Sequence, residues 1–103
     1  MMRIIELLST HVEEELEDAY TYAKLALEYK DTEPALAAVF YRLSDEEMGH
    51  MDMLHKQVSA CISEYRQTHA EPPAAMQAIY DFVHKREISK AERVASLQEL
   101  YRK

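Results

Sequence analysis

The chain is almost free of residues that interrupt helices. It has one glycine and three prolines in 103 residues, and the prolines lie at only two places, Pro34 and the pair Pro72–Pro73. The segments between them are rich in Ala, Leu, Glu and Lys, and none alternates β-branched with polar residues as a strand does. The pattern predicts an all-α fold, and the length fits a single domain, residues 1–103, with a modest core.

Hydrophobic spacing predicts two long helices joined by a short link. The first helix is expected over about residues 3–30 and the second over about 34–68, because apolar positions recur every three or four residues in both. A link this short brings consecutive helices together side by side. The first part of the chain, residues 1–68, is therefore predicted to be an antiparallel helical hairpin.

The rest of the chain, residues 69–103, is predicted to be a C-terminal helical extension. The paired prolines are expected to end the second helix, and a short third helix is predicted over about 74–86. Ser89, followed three residues later by Glu92, has the pattern of a capping box, which favours the start of a helix. One or two short C-terminal helices are therefore expected, the second of which, where it forms, ends near Tyr101.

Charge and cysteine content exclude several classes of protein. The net charge of −7 disfavours nucleic-acid binding, which needs clustered Lys and Arg. Cys61 is the only cysteine, so neither an intrachain disulfide nor a four-cysteine metal site can form within one chain. The sequence shows no signal-peptide core and no apolar run as long as a membrane span. We expect a cytoplasmic protein that binds neither nucleic acid nor membrane.

Three ionisable residues occupy positions on the predicted apolar stripes. Glu15 lies on the stripe of the first helix, and Glu47 and His50 lie one turn apart on the stripe of the second. If the hairpin folds back near residue 32, position 15 comes opposite position 49, between Glu47 and His50. The three side chains are therefore expected to meet at one level of the bundle.

Buried carboxylates need compensation, and a metal ion is the simplest source of it here. One chain supplies two carboxylates and one imidazole. This is half the set of a di-metal carboxylate site, in which two helices each give a Glu and two more each give Glu-x-x-His. Two copies related by a twofold axis would complete the set, with two irons per dimer, although manganese or zinc also suits these donors. The expected partner is a second copy, in a homodimer or a higher homo-oligomer.

The segments 14–17 (EELE) and 45–50 (DEEMGH) resemble the encapsulated ferritins of the ferritin-like superfamily, which form a ferroxidase centre between two short chains. Glu15, the tyrosine seven residues later and the Glu-x-x-His also resemble the first hairpin of rubrerythrin. The likeness covers roughly residues 10–60. It implies a four-helix bundle completed by dimerisation, with Glu15, Glu47 and His50 as iron ligands and Glu47 bridging the two ions.

The chain departs from these families in three respects. No second Glu helix and no second Glu-x-x-His follow, and the cysteine-rich module of rubrerythrin is missing. The C-terminal tail, residues 100–103, does not resemble an encapsulin-targeting peptide, so loading into an encapsulin shell is not expected. Alignment on Pro34 would make Glu17 the ligand of the first helix, whereas the stripe favours Glu15.

Several alternatives accompany this interpretation. His11 could be an extra ligand, Tyr22 could hydrogen-bond one, and Asp81 with His84 imitates Glu-x-x-His and could complete a site within one chain. The leading hypothesis is oxidation of Fe(II) by oxygen or peroxide, for iron storage or detoxification. The alternatives are a non-catalytic helical dimerisation or adaptor module, and a bundle with a structural metal such as zinc.

Overall fold

The computed structural model of the protein describes residues 2–68 and 74–103. It contains three helices: α1 (Met2–Tyr29), α2 (Pro34–Thr68) and α3 (Ala74–Arg102). No strand occurs in these two segments, which confirms the predicted all-α class. In the same segments, no helix has an apolar stretch long enough to cross a bilayer. The predicted break at the paired prolines lies outside the described residues.

Helices α1 and α2 form the predicted antiparallel hairpin. The link between them is a tight turn in which Glu33 N donates to Tyr29 O at 2.8 Å. Ala37 N donates to Glu33 O at 2.9 Å, so the hydrogen bonds of α2 begin directly after the turn. Further from the turn, Tyr22 of α1 stacks on Phe40 of α2 with ring centroids 6.1 Å apart.

Small side chains form much of the seam of the hairpin. Helix α2 contributes Ala37 and Ser44, both fully buried, and Ser44 contacts Ala19 of α1. Three alanines of α1 are also buried: Ala19, Ala23 and Ala26. Small residues let two helices approach closely and bring backbone atoms within reach of side chains across the interface. This is the most extensive interface between elements of the chain.

Helix α3 runs alongside α1 in the same direction. Arg86 lies 4.0 Å from Glu13, Lys90 pairs with Glu17, and Arg93 lies over the ring of Tyr20 with 5.4 Å to the centroid. These contacts advance together along both helices, which fixes the parallel direction. Helix α3 touches α2 least, so it covers one flank of the hairpin and leaves the other flank open.

Of the one or two short C-terminal helices expected, the structure has one, and it is longer than expected, since residues 74–102 form one continuous helix. Ser89 is exposed within α3 instead of capping a new helix. The reason lies in the packing: the inward positions continue without a change of phase across the expected break, at spacings of three and four residues. These positions are His84, Glu87, Ala91, Val94 and Gln98.

The buried stripe of α1 also differs in position from the predicted one. Leu16 and Ala23 are buried, whereas Glu15 and Tyr22 lie half-exposed at the edge of the stripe. Helix α3 accounts for the difference, since it packs on the flank of α1 that bears Glu13 and draws the core toward that flank. The predicted ionisable positions therefore lie at the margin of the core and not at its centre.

A buried polar contact ties the three helices together. Ser44 Oγ donates to Ala19 O at 2.7 Å and accepts from Gln98 Nε2 at 3.0 Å. Ser44 is fully buried and Gln98 is 7% exposed, so neither can replace these hydrogen bonds with solvent. Buried polar groups of this kind favour one register of the helices, because sliding any helix leaves a donor without an acceptor.

We predict that Ser44→Ala lowers the free energy of unfolding by about 1–3 kcal/mol, because it leaves the buried amide of Gln98 without its acceptor. Urea denaturation at a fixed protein concentration measures the change. Ser59→Ala, at an exposed position of the same helix, is the control and should change stability by less than about 0.5 kcal/mol. Equal effects from both substitutions would contradict a role for the buried contact.

Candidate metal centre

Glu15, Glu47 and His50 come together as the sequence predicts. Glu15 projects from the middle of α1, and Glu47 and His50 project from α2 one turn apart. One ligand atom from each residue lies within 4.8 Å of the others. The hairpin register therefore gathers the three predicted side chains at one level.

The contacts within this group are longer than hydrogen bonds. His50 Nδ1 lies 3.6 Å from Glu15 Oε2 and 3.9 Å from Glu47 Oε2. Glu15 Oε2 is buried and has no hydrogen-bond partner. A buried carboxylate oxygen without a hydrogen bond is unfavourable by about 1–3 kcal/mol, and a bound cation would offset this cost.

The two carboxylates are shielded and the imidazole is not. The side chains of Glu15 and Glu47 are 25% and 20% exposed, whereas His50 is 56% exposed. Glu15 and His50 line a surface groove of about 490 Å³ on the flank of the hairpin that α3 leaves open. Met53, Leu54, Lys56 and Gln57 complete its lining.

Lysine and arginine do not neutralise these carboxylates in the described parts of the chain. Lys56, which lines the groove, pairs with Asp52 at 3.1 Å, and Arg42 pairs with Glu46 at 3.1 Å. Both are exposed pairs between neighbouring turns of one helix, and such pairs contribute little to stability. Among the described residues, the only ion-pair contact of Glu15 and of Glu47 is with His50.

The donor set fits a divalent transition metal. Carboxylate oxygen and imidazole nitrogen together suit iron, manganese or zinc. The orphaned oxygen of Glu15 gives the fit a structural basis independent of the motif, since a bound cation would satisfy it. Three donors from one chain leave at least one coordination position of such an ion unfilled.

Other residues considered from the sequence lie elsewhere. Glu17 pairs with Lys90 of α3, on the opposite flank from His50, so the structure favours Glu15 over Glu17. His11 is exposed beside Glu14 at 3.4 Å and does not join the cluster. Tyr22 stacks on Phe40 between the site and the turn.

A second group of ionisable residues lies between α2 and α3. Asp81 does not approach His84 but accepts a hydrogen bond from Gln77 Nε2 at 2.9 Å. His84 instead gathers with Glu87 and with His55 of α2, with ligand atoms within 4.8 Å of one another. Sequence reasoning missed this group, although the inward spacing of His84 and Glu87 on α3 was a signal that could have found it.

Burial raises the pKa of Glu87 from its ordinary value of 4.5 to about 7. The negative charge of Glu13 adds to the increase, and the positive charge of Arg86 opposes it. One carboxylate oxygen of Glu87 and His84 Nδ1 are buried without a hydrogen-bond partner.

No protein-family model matches the chain, and no curated protein or solved structure is significantly similar to it.

The raised pKa of Glu87 predicts a pH dependence of stability in metal-free buffer with a chelator. The folded state holds this proton more tightly than the unfolded state does. The stabilisation is therefore complete below pH 4.5 and is lost as the pH rises through about 7. Glu87→Gln cannot titrate, so its stability relative to the wild type should increase by about 1–2 kcal/mol over that range, after allowance for solvent screening.

Denaturation in urea at several pH values between those limits measures this difference. Glu92→Gln changes an exposed carboxylate on the same helix and serves as the matched control. The free energy of unfolding of this control should change with pH in the same way as that of the wild type. If the unfolding free energy of Glu87→Gln also changed with pH as the wild type does, folding would not raise the pKa of Glu87.

Proposed function

We propose that this chain is a ferritin-like di-iron carboxylate protein that binds and oxidises Fe(II) at a site shared by two copies. The observation that carries the proposal is the convergence of Glu15, Glu47 and His50, with an unpartnered buried oxygen on Glu15. Iron is the substrate, and storage or detoxification is the role that such oxidation serves.

The composition of the cluster supports a shared site. Two carboxylates and one imidazole are half of the ligand set of a di-metal bundle, in which four helices surround the ions. A twofold axis through the open flank would bring a second set to face the first. The four carboxylates of the dimer would then balance two divalent ions in formal charge.

Exposed apolar side chains on the open flank of the hairpin support this flank as the interface between the two copies. On α2, Leu36 is 42% exposed, Val39 54% and Met53 67%. On α1, Ile4 and Leu7 are 50% and 57% exposed. At 100° per residue, Leu36 and Leu54 each lie within about 20° of Glu47 around α2, so apolar residues flank the site along its axis. A second hairpin on this flank would cover them and complete a four-helix bundle.

The chemistry requires an oxidant and protons. Two Fe(II) ions give up two electrons, and dioxygen with two protons becomes hydrogen peroxide. With peroxide as the oxidant, the same two electrons and two protons give two water molecules. The carboxylates stabilise the higher charge of Fe(III), which favours hard oxygen donors.

The three ligands have different roles in this proposal. Glu47 would bridge the two ions, as the resemblance implies, whereas Glu15 and His50 would each hold one. His50 is the most exposed of the three, and a docked second copy would bury it. Burial of the site would also strengthen the attraction between ions and carboxylates by excluding water.

We predict that Glu47→Ala slows Fe(II) oxidation by at least about tenfold while the chain still folds. The rate should fall because even the loss of a residue that only supports a metal ligand costs about 10–100-fold. The fold should persist, because the contact of Glu47 with the exposed His50, at 3.9 Å, contributes little to stability. Stopped-flow absorbance after anaerobic loading and mixing with oxygen or peroxide gives the rate.

Glu46→Gln is the control, because Glu46 is the adjacent carboxylate and pairs with Arg42 at the surface. Its oxidation rate should match that of the wild type. An unchanged rate in Glu47→Ala would contradict the proposed site. Stoichiometric metal without any oxidation would favour a structural metal such as zinc.

We predict that Leu36→Glu shifts the protein toward monomer and reduces bound iron below two ions per pair of chains. Charged side chains facing each other across a twofold interface repel and resist burial. Within one chain, the substitution alters an exposed position and should leave the fold intact. Native mass spectrometry after anaerobic loading reports the oligomer and its iron content together.

Phe82→Glu is the matched control, since Phe82 is 63% exposed but lies on α3. It should preserve both the dimer and its two irons. A wild-type protein that remains monomeric at every concentration would overturn the shared site. A dimer that binds no metal would favour the adaptor module.

A further inference from the structure

The group between α2 and α3 has the composition of a second metal site. It contains two imidazoles, from His55 and His84, and one carboxylate, from Glu87. The rings of His55 and His84 lie nearly parallel, at an angle of 17°, with centroids 4.9 Å apart. All three side chains are half-buried, so solvent solvates them only in part.

Two atoms of this group lack the partners that buried polar atoms require. His84 Nδ1 and Glu87 Oε1 are buried and form no hydrogen bond. His84 and Glu87 lie one turn apart on α3, and His55 approaches from α2. An ion held by these three residues would satisfy both orphaned atoms at once.

We propose that His55, His84 and Glu87 bind a divalent transition metal of the zinc type within a single chain. Two imidazoles and one carboxylate are a donor set that zinc uses when one coordination position stays open. Magnesium and calcium are disfavoured, because they prefer oxygen donors throughout. The group differs in this respect from Glu15, Glu47 and His50, where carboxylates outnumber the imidazole.

Binding an ion requires the three side chains to rotate toward it. Zinc bonds to nitrogen and oxygen of about 2.0–2.1 Å place tetrahedral ligand atoms about 3.4 Å apart. The three ligand atoms now lie within 4.8 Å of one another. Closing the difference requires side-chain rotations that also turn the imidazole rings out of their stacked arrangement, so that both nitrogen lone pairs point to the ion.

The ion would act as a cross-link between two helices that touch little. Helix α3 packs mainly against α1, and its interface with α2 is the smallest in the chain. Hydrogen bonds tie α2 to α3 near both ends of α3, from Arg66 to Gln77 and from Arg102 to Tyr41. The metal would join the two helices between those points and stabilise the folded chain by binding it preferentially.

The test uses the full chain with Glu47→Ala, which removes a ligand of the shared site. Native mass spectrometry with added Zn(II) should find one ion per chain, in monomer and dimer alike. Zinc should raise the melting temperature by about 10 °C at a hundredfold excess over the dissociation constant. No stoichiometric zinc in this background would overturn the proposal.

Further substitutions in the same background identify the ligands. His55→Gln and Glu87→Gln should each weaken zinc binding by at least about tenfold. Asp81→Asn should leave it unchanged, because Asp81 bonds to Gln77 and not to His84. Circular dichroism of each variant without metal establishes that it is folded. Zinc affinity unaffected by both ligand substitutions, or lost in Asp81→Asn, would overturn the assignment.

The zinc site and the shared iron site can be tested independently of each other. Zinc binding by the Glu47→Ala chain would persist if the proposed iron chemistry proved wrong. Iron oxidation by the Glu87→Gln chain should match that of the wild type whether or not zinc binds there. Glu87 belongs to α3, which packs on the flank of the hairpin opposite the shared site.

Discussion

The register of the α1–α2 hairpin is the constraint on which the rest of the structure depends. The turn after Tyr29 fixes where α2 begins, and small side chains at the seam hold the two helices close. Glu15 then has to face the turn of α2 that carries Glu47 and His50. A slip of one helical turn, about 5.4 Å, would separate the carboxylates and also remove Ser44 from Ala19.

Much of this hairpin could be predicted from the sequence, because its information is local. Proline placement and apolar spacing define the two long helices, and a short link determines their direction. The level of Glu15 follows from counting residues on either side of the turn. Counting does not reveal which face of each helix becomes most buried, since that depends on where α3 packs, and so Glu15 and Glu47 lie at the edge of the core.

The C-terminal helix was harder to predict for a physical reason. Its inward positions include ionisable and small residues, among them His84, Glu87 and Ala91, so the apolar stripe is weak. The capping-box pattern at Ser89 is a local preference, and continuous packing against α1 overrides it. The cluster with His55 depends on how α3 lies against the hairpin, which no count along the chain provides. The two flanks of the hairpin thus bear different ionisable groups. The group of two histidines and one glutamate is covered by α3, and the group of two glutamates and one histidine lies on the open flank.

The single glycine of the chain, Gly49, lies in the turn of α2 between Glu47 and His50. A methyl group added there would meet no atom within 4 Å, so close packing does not require glycine. Glycine in a helix interior is less favourable than alanine by about 1 kcal/mol. Glycine therefore weakens helix α2 locally between two of its proposed ligands, so the chain carries this cost in stability at the level of the proposed site.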